Sequence, residues 1–371
     1  MINPKKRLAF FVSSMEGGGA QRVMLNLAQE ISEKGYAVDL VLARAEGPYL
    51  AQIPESVQLV DLKTTRILNS LPALAWYLRR KQPTAILSAI NYVNIIALWA
   101  RCLARVSTRV VVGEHSVSSY SAKYGTSWRD QLMPKLSYFY RWADGIVAVS
   151  EEVRNDLAQI TGIPCERIRV IYNPVIKQEL RRKSRVPLEH PWFGNNQPPV
   201  LLAVGRLAEV KDFRTLIYAF AQVRQTRPVR LLILGEGECR SSLESLVRQL
   251  GLEEDVSMPG FVENPYAYMA QASIFVMSSR FEALPTVLIE ALYLGLPLIA
   301  TDCPGGTREI LRDGKVGQLV PVGDSIAIAQ AIENILNLPF SPPPQETWRP
   351  FKIDTIVNQY LDVLLDGKPC A

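Results

Sequence analysis

Short apolar runs alternate along most of the chain with longer segments whose apolar positions recur at helical spacing. The runs carry few polar residues on either face, so they read as strands buried in parallel sheets. In the first half they are Leu8–Ser14, Ala37–Ala43, Val57–Leu62, Ala85–Ala89, Arg109–Gly113, Gly145–Val149 and Ile168–Tyr172. Between them Ala20–Lys34 predicts a helix with Val23, Leu27 and Ile31 on one face and Gly35 as its stop. Ala85 to Ala100 is apolar, but Ser88, Asn91 and Asn94 interrupt it, and a strand followed by a helix over Tyr92–Val106 accounts for it better than a membrane span.

The alternation stops between Lys177 and Pro199, where Arg181-Arg182-Lys183, four prolines and Gly194-Asn195-Asn196 leave little periodicity. This stretch reads as a linker. Strands resume at Val200–Val204, Leu231–Leu234, Val256–Met258, Ile274–Met277, Pro297–Ala300 and Gly317–Val320, with helices such as Ser241–Leu250 and Ile326–Leu336 between them. Ser341-Pro342-Pro343-Pro344 closes the series, and a last helix, Ile353–Leu365, is expected to return to the first domain. The expected organisation is therefore an N-terminal Rossmann-like domain over residues 1–176, a linker over 177–199, a second such domain over 200–340 and a C-terminal segment over 341–371. The fold class is α/β: two doubly wound, Rossmann-like domains whose strand ends face each other across a cleft.

Composition narrows the partners. Hydrophobic residues make up 48% of the 371 and charged residues 21%, which supports large cores and argues against disorder. Residues 1–175 hold 21 Lys and Arg against 14 Asp and Glu, while the remainder holds 20 against 22. The basic first half suits an anionic partner: phospholipid headgroups or a lipid-linked phosphate acceptor. No nucleic-acid-binding motif accompanies it. Five scattered cysteines without a C-x-x-C pair predict a reducing compartment and neither disulfides nor zinc, and two histidines make a His-based metal site a poor fit. Lys5-Lys6-Arg7 before Leu8–Val12 imitates a signal peptide, but the apolar run is short and leads into Glu16-Gly17-Gly18-Gly19.

The chemistry gathers after the strands. Behind Ile274–Met277 come Glu282, then Leu284-Pro285-Thr286 at an expected helix start, then Glu290, eight positions beyond Glu282. Free amides at a helix start attract phosphate. A nucleoside diphosphate fits along that helix, with phosphates at its start, ribose hydroxyls on Glu290 and a sugar hydroxyl on Glu282. Gly205-Arg206 and Lys211, behind Val200–Val204, add cations suited to a diphosphate. Gly18, in Gly17-Gly18-Gly19-Ala20, opens a helix after the first strand and suits close approach of an anion, although a plain tight turn explains it equally. Gly235-Glu236-Gly237 lacks the third glycine of a dinucleotide fingerprint and remains a nucleotide-side loop. His115, just past Arg109–Gly113, is placed to face the cleft. No Asp-x-Asp occurs, so metal-held phosphates are not expected, and no cofactor is.

Taken in order, Gly17-Gly18-Gly19-Ala20, Val147–Ser150, Val170-Ile171-Tyr172-Asn173-Pro174, Gly205-Arg206-Leu207 with Lys211, Gly235-Glu236-Gly237, Pro259-Gly260-Phe261-Val262 and Glu282-x7-Glu290 resemble the retaining glycosyltransferases of family four, which have the GT-B fold. The resemblance implies that Arg206 and Lys211 bind the donor diphosphate, Glu282 the donor sugar, Glu290 the ribose, the backbone of Leu284, Pro285 and Thr286 the phosphate and sugar, and Gly18 the phosphate from the first domain. His115 matches a first-domain histidine that contacts the donor sugar. Asp212-Phe213 after Lys211, and Ala283 in place of the commoner glycine, depart from the pattern without removing a charge. The implied activity is transfer of a hexosyl or N-acetylhexosaminyl group from a nucleotide sugar to a glycan or lipid-linked acceptor, without an obligatory metal. The implied setting is surface polysaccharide or lipopolysaccharide assembly, in the cytoplasm or on the inner face of the membrane, with Ser116–Trp128 contributing to the acceptor side. A GT-B-shaped epimerase or phosphorylase, or a non-catalytic sugar-nucleotide-binding protein, would use the same residues.

Overall fold

The computed structural model describes residues 6–16, 18–120, 135–194, 196–339 and 341–365. Lys5, Gly17, Asn195, Cys370 and residues 121–128 of the stretch that begins at Ser116 lie outside the described residues. The chain divides into two compact units, Met1–Pro174 with Ile353–Ala371, and Val175–Lys352.

The first unit holds one parallel sheet of β1 (Arg7–Val12), β2 (Ala37–Leu42), β3 (Val57–Asp61), β4 (Ala85–Ala89), β5 (Arg109–Glu114), β6 (Gly145–Ala148) and β7 (Ile168–Val170), in the order β3-β2-β1-β4-β5-β6-β7. Leu8 pairs with Val38 on one side and Ala85 on the other, so the strand order reverses at the β1–β4 junction. Among the described residues its helices include α1 (Gly19–Glu33), α2 (Ser70–Lys81), α3 (Asn91–Ala104) and α4 (Glu151–Thr161). Helix α4 has a legible start and stop. Ser150 Oγ accepts from the Val153 amide at 3.2 Å, Glu151 and Glu152 fill the first turn, and Gly162 ends it in the left-handed conformation.

The second unit begins with α5 (Gln178–Ser184). This helix lies in the stretch expected as a linker. It buries only Leu180, and a Glu179–Lys183 ion pair at 2.9 Å and an Asn264 Nδ2 bond to the Lys183 carbonyl at 3.0 Å accompany it. One buried apolar residue gives too weak a period to read from sequence. The chain then runs β8 (Val200–Val204), α6 (Phe213–Thr226), β9 (Arg230–Leu234), α7 (Arg240–Gln249), β10 (Val256–Gly260), α8 (Pro265–Met269), β11 (Ile274–Met277), α9 (Thr286–Leu294), β12 (Leu298–Thr301), α10 (Thr307–Ile310), β13 (Gln318–Val320) and α11 (Ser325–Asn337). The sheet order is β10-β9-β8-β11-β12-β13, with every neighbouring pair parallel. Here the order reverses between β8 and β11, and crevices at such junctions are the usual ligand positions of doubly wound sheets.

The last helix, α12 (Ile353–Leu365), belongs to the first unit. Ile356, Val357 and Tyr360 are buried in one cluster with Leu8, Phe10, Ile31 and Leu87. Arg109 Nε donates to the Val363 carbonyl at 2.8 Å. Among the described residues no helix is long and apolar enough to cross a membrane.

Candidate active site

The loops after β8 and β11 meet at the switch point of the second sheet. Behind β8 come Gly205, exposed Arg206 and the short 3-10 turn Glu209–Lys211. Asp212, at φ 47°, caps α6: its Oδ1 accepts from the Thr215 amide at 3.4 Å, while Oδ2 accepts from Arg280 Nε at 3.2 Å. The aspartate that departs from the family pattern therefore ties the two loops together. Ser278 Oγ adds a bond to the Lys211 carbonyl at 2.8 Å.

Lys211 and Glu282 are drawn into direct contact. Nζ lies 2.5 Å from Glu282 Oε1, and Ser279 Oγ donates to the same oxygen at 2.7 Å. Both side chains line a narrow crevice with Ser279 and Val287. Arg206 differs: among the described residues no hydrogen bond or ion pair engages its guanidinium, which leaves its donors available.

Helix α9 starts at Thr286, with Pro285 one position outside it as N-cap rather than in its first turn. No side chain caps this start, and the amides of Leu288 and Ile289 turn back to the Pro285 carbonyl, at 3.2 and 3.4 Å. Leu284 is buried. Glu290 is 8% exposed and accepts from Tyr266 Oη of α8 at 3.1 Å.

Two glycines shape these loops by close approach. A Cβ at Gly235 (φ +148°) would lie 1.9 Å from the Gly205 carbonyl oxygen, so the Gly235 loop seats the Gly205–Leu207 loop. Leu207 N donates to the Glu236 carbonyl at 2.8 Å across the same contact. The second is Gly305, which sequence reasoning passed over. A Cβ there (φ +118°) would lie 1.3 Å from the Glu282 carbonyl oxygen. Glu282 N donates to the Pro304 carbonyl, and Gly306 N to the Ala283 carbonyl, both at 3.0 Å. The turn signal Pro304-Gly305-Gly306 after β12 was visible in the sequence, but its partner was not. Tyr266 was missed for the same reason.

In the first unit, Gly18 stands at the N-cap of α1, behind β1, and His115 follows β5, both at the same edge of one sheet. A Cβ on Gly18 would meet only the Gln21 side chain, so the turn itself does not demand glycine there. His115 is half-buried, and burial pushes its imidazole down to about 4. Next to it Glu114 is buried, and burial pushes its carboxyl up to about 7 against the lowering effect of bonds from Ser116, Tyr140 and the His115 amide.

Residues 17–179 match the family described as Glycosyltransferase Family 4, and residues 189–350 match Glycosyl transferases group 1. A Campylobacter jejuni protein named N-acetylgalactosamine-N,N'-diacetylbacillosaminyl-diphospho-undecaprenol 4-alpha-N-acetylgalactosaminyltransferase is 32% identical over 346 residues, 89% of this chain and 90% of the relative. The chain belongs to glycosyltransferase family 4. A second relative, the lipopolysaccharide core biosynthesis glycosyltransferase LpsE of Rhizobium meliloti, is 29% identical over 86% of each chain. Among solved structures, HepE of Anabaena in complex with UDP and glucose superposes with a TM-score of 0.76 at 22% identity, over 96% of this chain and 98% of that one. The two parallel-sheet units are those of the GT-B glycosyltransferase fold, and the chain is a glycosyltransferase.

Proposed function

We propose that this family 4 enzyme moves a hexosyl or N-acetylhexosaminyl group from a uridine diphosphate sugar to a hydroxyl of a polyprenyl-diphosphate-linked glycan, with retention of anomeric configuration. The observation that carries the reading is the Lys211–Glu282 pair beside the uncapped start of α9, with Glu290 four residues further along. From Thr286 to Glu290 the helix rises about 6 Å, a span that suits phosphates at one end and a ribose at the other. The C. jejuni relative's name gives the N-acetylhexosamine and the lipid diphosphate, and the HepE complex gives uridine.

In this mechanism the bond from sugar to phosphate breaks with oxocarbenium character, and negative charge grows on the leaving diphosphate. Lys211, the available guanidinium of Arg206 and the amides at Thr286 and Val287 stabilise that charge more in the transition state than in the ground state. Glu282 holds a donor-sugar hydroxyl, Glu290 holds the ribose, Gly18 and Gly205 give the backbone access to the phosphates, and His115 contacts the sugar as a neutral imidazole. The acceptor hydroxyl attacks from the leaving-group face. No step in this scheme uses a metal, so excess chelator is expected to leave the rate unchanged.

The test is incubation with UDP-N-acetylhexosamines and UDP-hexoses, with and without a polyprenyl-diphosphate glycan. The product is read by mass and the new anomeric centre by NMR. Donor turnover without acceptor would point to an epimerase. Donor binding with neither transfer nor hydrolysis would point to a binding protein. An inverted linkage would remove the retaining mechanism.

The acceptor also implies a membrane surface. From Leu62 to Gly113 the chain has eight Lys and Arg and no Asp or Glu. Leu68, Trp76, Leu103, Tyr138 and Trp142 are exposed on α2, α3 and the adjoining 3-10 turns Ile67–Asn69 and Ser137–Trp142, elements that pack on one another. Aromatic side chains amid cations suit an anionic bilayer on the cytoplasmic side. Co-sedimentation with phosphatidylglycerol vesicles but not with phosphatidylcholine is expected. Equal binding to both, or to neither, would overturn this.

A further inference from the structure

Glu114 is a buried carboxylate one residue from His115, and the proposed mechanism gives it no task. It closes β5, pairs across the sheet with Ala148 of β6 and is 1% exposed. Its Oε1 accepts three bonds from the loop that carries the histidine: the His115 amide at 3.1 Å, the Ser116 amide at 3.1 Å and Ser116 Oγ at 2.6 Å. Its Oε2 accepts from Tyr140 Oη at 3.0 Å.

The polar chain behind it has one direction. Ser88 Oγ of β4 donates to Asn94 Oδ1 at 2.7 Å, and Asn94 Nδ2 of α3 donates to Tyr140 Oη at 2.8 Å and to the Gly113 carbonyl at 2.9 Å. Tyr140 then donates to Glu114. Every proton along this path points toward an acceptor-only group at its end, which is what an ionised carboxylate supplies. A protonated Oε2 would face the Tyr140 oxygen with a second hydrogen and leave the phenol's own proton without a buried acceptor. The ring is seated from the other side as well: a Cβ at Gly113 would come within 3.3 Å of both His115 Nε2 and the Ser88 carbonyl. His115 therefore lies between a clamped backbone and a close-packed floor at Gly113.

We propose that Glu114 is a positioning residue, whose ionised carboxylate clamps the backbone of the His115 loop and fixes the imidazole for contact with the donor sugar. The proposal rests on the reading of His115 given above. Opposing forces set the charge state: burial favours the acid, and four converging donors favour the anion. The groups that face Glu114 are Tyr140 from the 3-10 turn, Ala148 from β6 and its neighbours His115 and Ser116. Ser88 and Asn94 stand behind Tyr140, and Asn91 of α3 reaches Ser116 Oγ at 3.2 Å. Among the described residues only His115 and Tyr140 of this set titrate. Asp156 of α4 is engaged by the Ser119 amide at 3.2 Å.

The chain has two histidines, so the imidazole NMR spectrum of the full-length protein resolves His115, with His190→Gln as the assignment variant. In the wild type the His115 ring resonances should move through an inflection near pH 7 as Glu114 ionises, while the ring itself protonates only near pH 4. Glu114→Gln, which imitates the acid form, should abolish the inflection near 7. It should also lower kcat/KM about ten- to hundredfold above that pH, the usual loss for a misplaced contact group, with the deficit shrinking at lower pH as the wild type itself protonates. Tyr140→Phe, which keeps the clamp on Oε1, should lose less. His115 ring resonances in Glu114→Gln that match those of the wild type above pH 7, an unchanged kcat/KM profile in Glu114→Gln, or full activity in His115→Ala each overturns the proposal. The NMR arm needs no catalysis, so failure of glycosyl transfer as a whole is told apart from failure of the clamp. If Glu114→Gln does not fold, His115→Ala and Tyr140→Phe still decide.

Discussion

Lys211 Nζ and Glu282 Oε1 stand 2.5 Å apart at the switch point of the second sheet, and the side chains are only 23% and 13% exposed. Each is the other's counterion, and Ser279 Oγ donates to the same carboxylate oxygen at 2.7 Å. In the proposed mechanism the cation turns toward the diphosphate and the carboxylate toward a sugar hydroxyl.

Lys211→Ala and Glu282→Ala should each lower kcat about 100-fold or more, the usual cost of deleting a preorganised transition-state contact. Because the two groups touch, the double variant should lose far less than the product of the single losses. Steady-state kinetics on the three variants checks this, and multiplicative losses would show that the groups act independently.

Glu290 and Tyr266 should separate binding from chemistry. Glu290→Gln is expected to raise the donor KM about tenfold or more, since a bond to a charged group contributes about 1.5–3 kcal/mol, with a smaller change in kcat. Tyr266→Phe removes the 3.1 Å bond that orients this carboxylate and should raise KM less than tenfold. A fall in kcat with KM unchanged would place Glu290 away from the ribose.

Gly305 tests the backbone. Alanine there would overlap the Glu282 carbonyl, so Gly305→Ala should displace the Glu282 loop and cost about 1–3 kcal/mol, the range for enforced backbone strain. Gly194, with nothing within 4 Å of a Cβ, is the control. A thermal melt of Gly305→Ala that matches Gly194→Ala would refute the packing argument.

Glu114 gives a pH dependence of stability. Its folded-state value of about 7 exceeds the ordinary 4.5, so the native state holds a proton that the unfolded chain has released between those values. Stability contributed by this group is thus fully present at lower pH and is lost as pH rises through 7, by about 3 kcal/mol at most. Relative to wild type, Glu114→Gln should therefore gain in denaturation midpoint as pH rises from about 5 to about 8. A pH-independent difference would show that the carboxyl is not perturbed.

The strands were legible because β11 and its parallel neighbours are uniformly apolar, and the candidate site was legible because Arg206, Lys211, Glu282, Pro285 and Glu290 follow two such strands. Helix α5 was not, because its single buried leucine sets no period. Glu114 carried no signal in the sequence, since its partner Tyr140 stands 26 positions away, and Asn94, which bonds to Tyr140, stands 20 away; only folding brings them together. Gly305 was invisible for a similar reason: its partner is a carbonyl on another loop, and a carbonyl carries no residue signature.

The chain passes from one unit to the other and back, so the first unit is assembled from two separated stretches. A ribosome must finish the second unit before Tyr360 exists to complete the apolar floor beneath β1 and β4. A nascent polypeptide that stalls or terminates near Lys352 would carry a sealed later half and an earlier half with its hydrophobic underside open to chaperones and proteases. The core of the first unit is thus closed only after the second unit has been made.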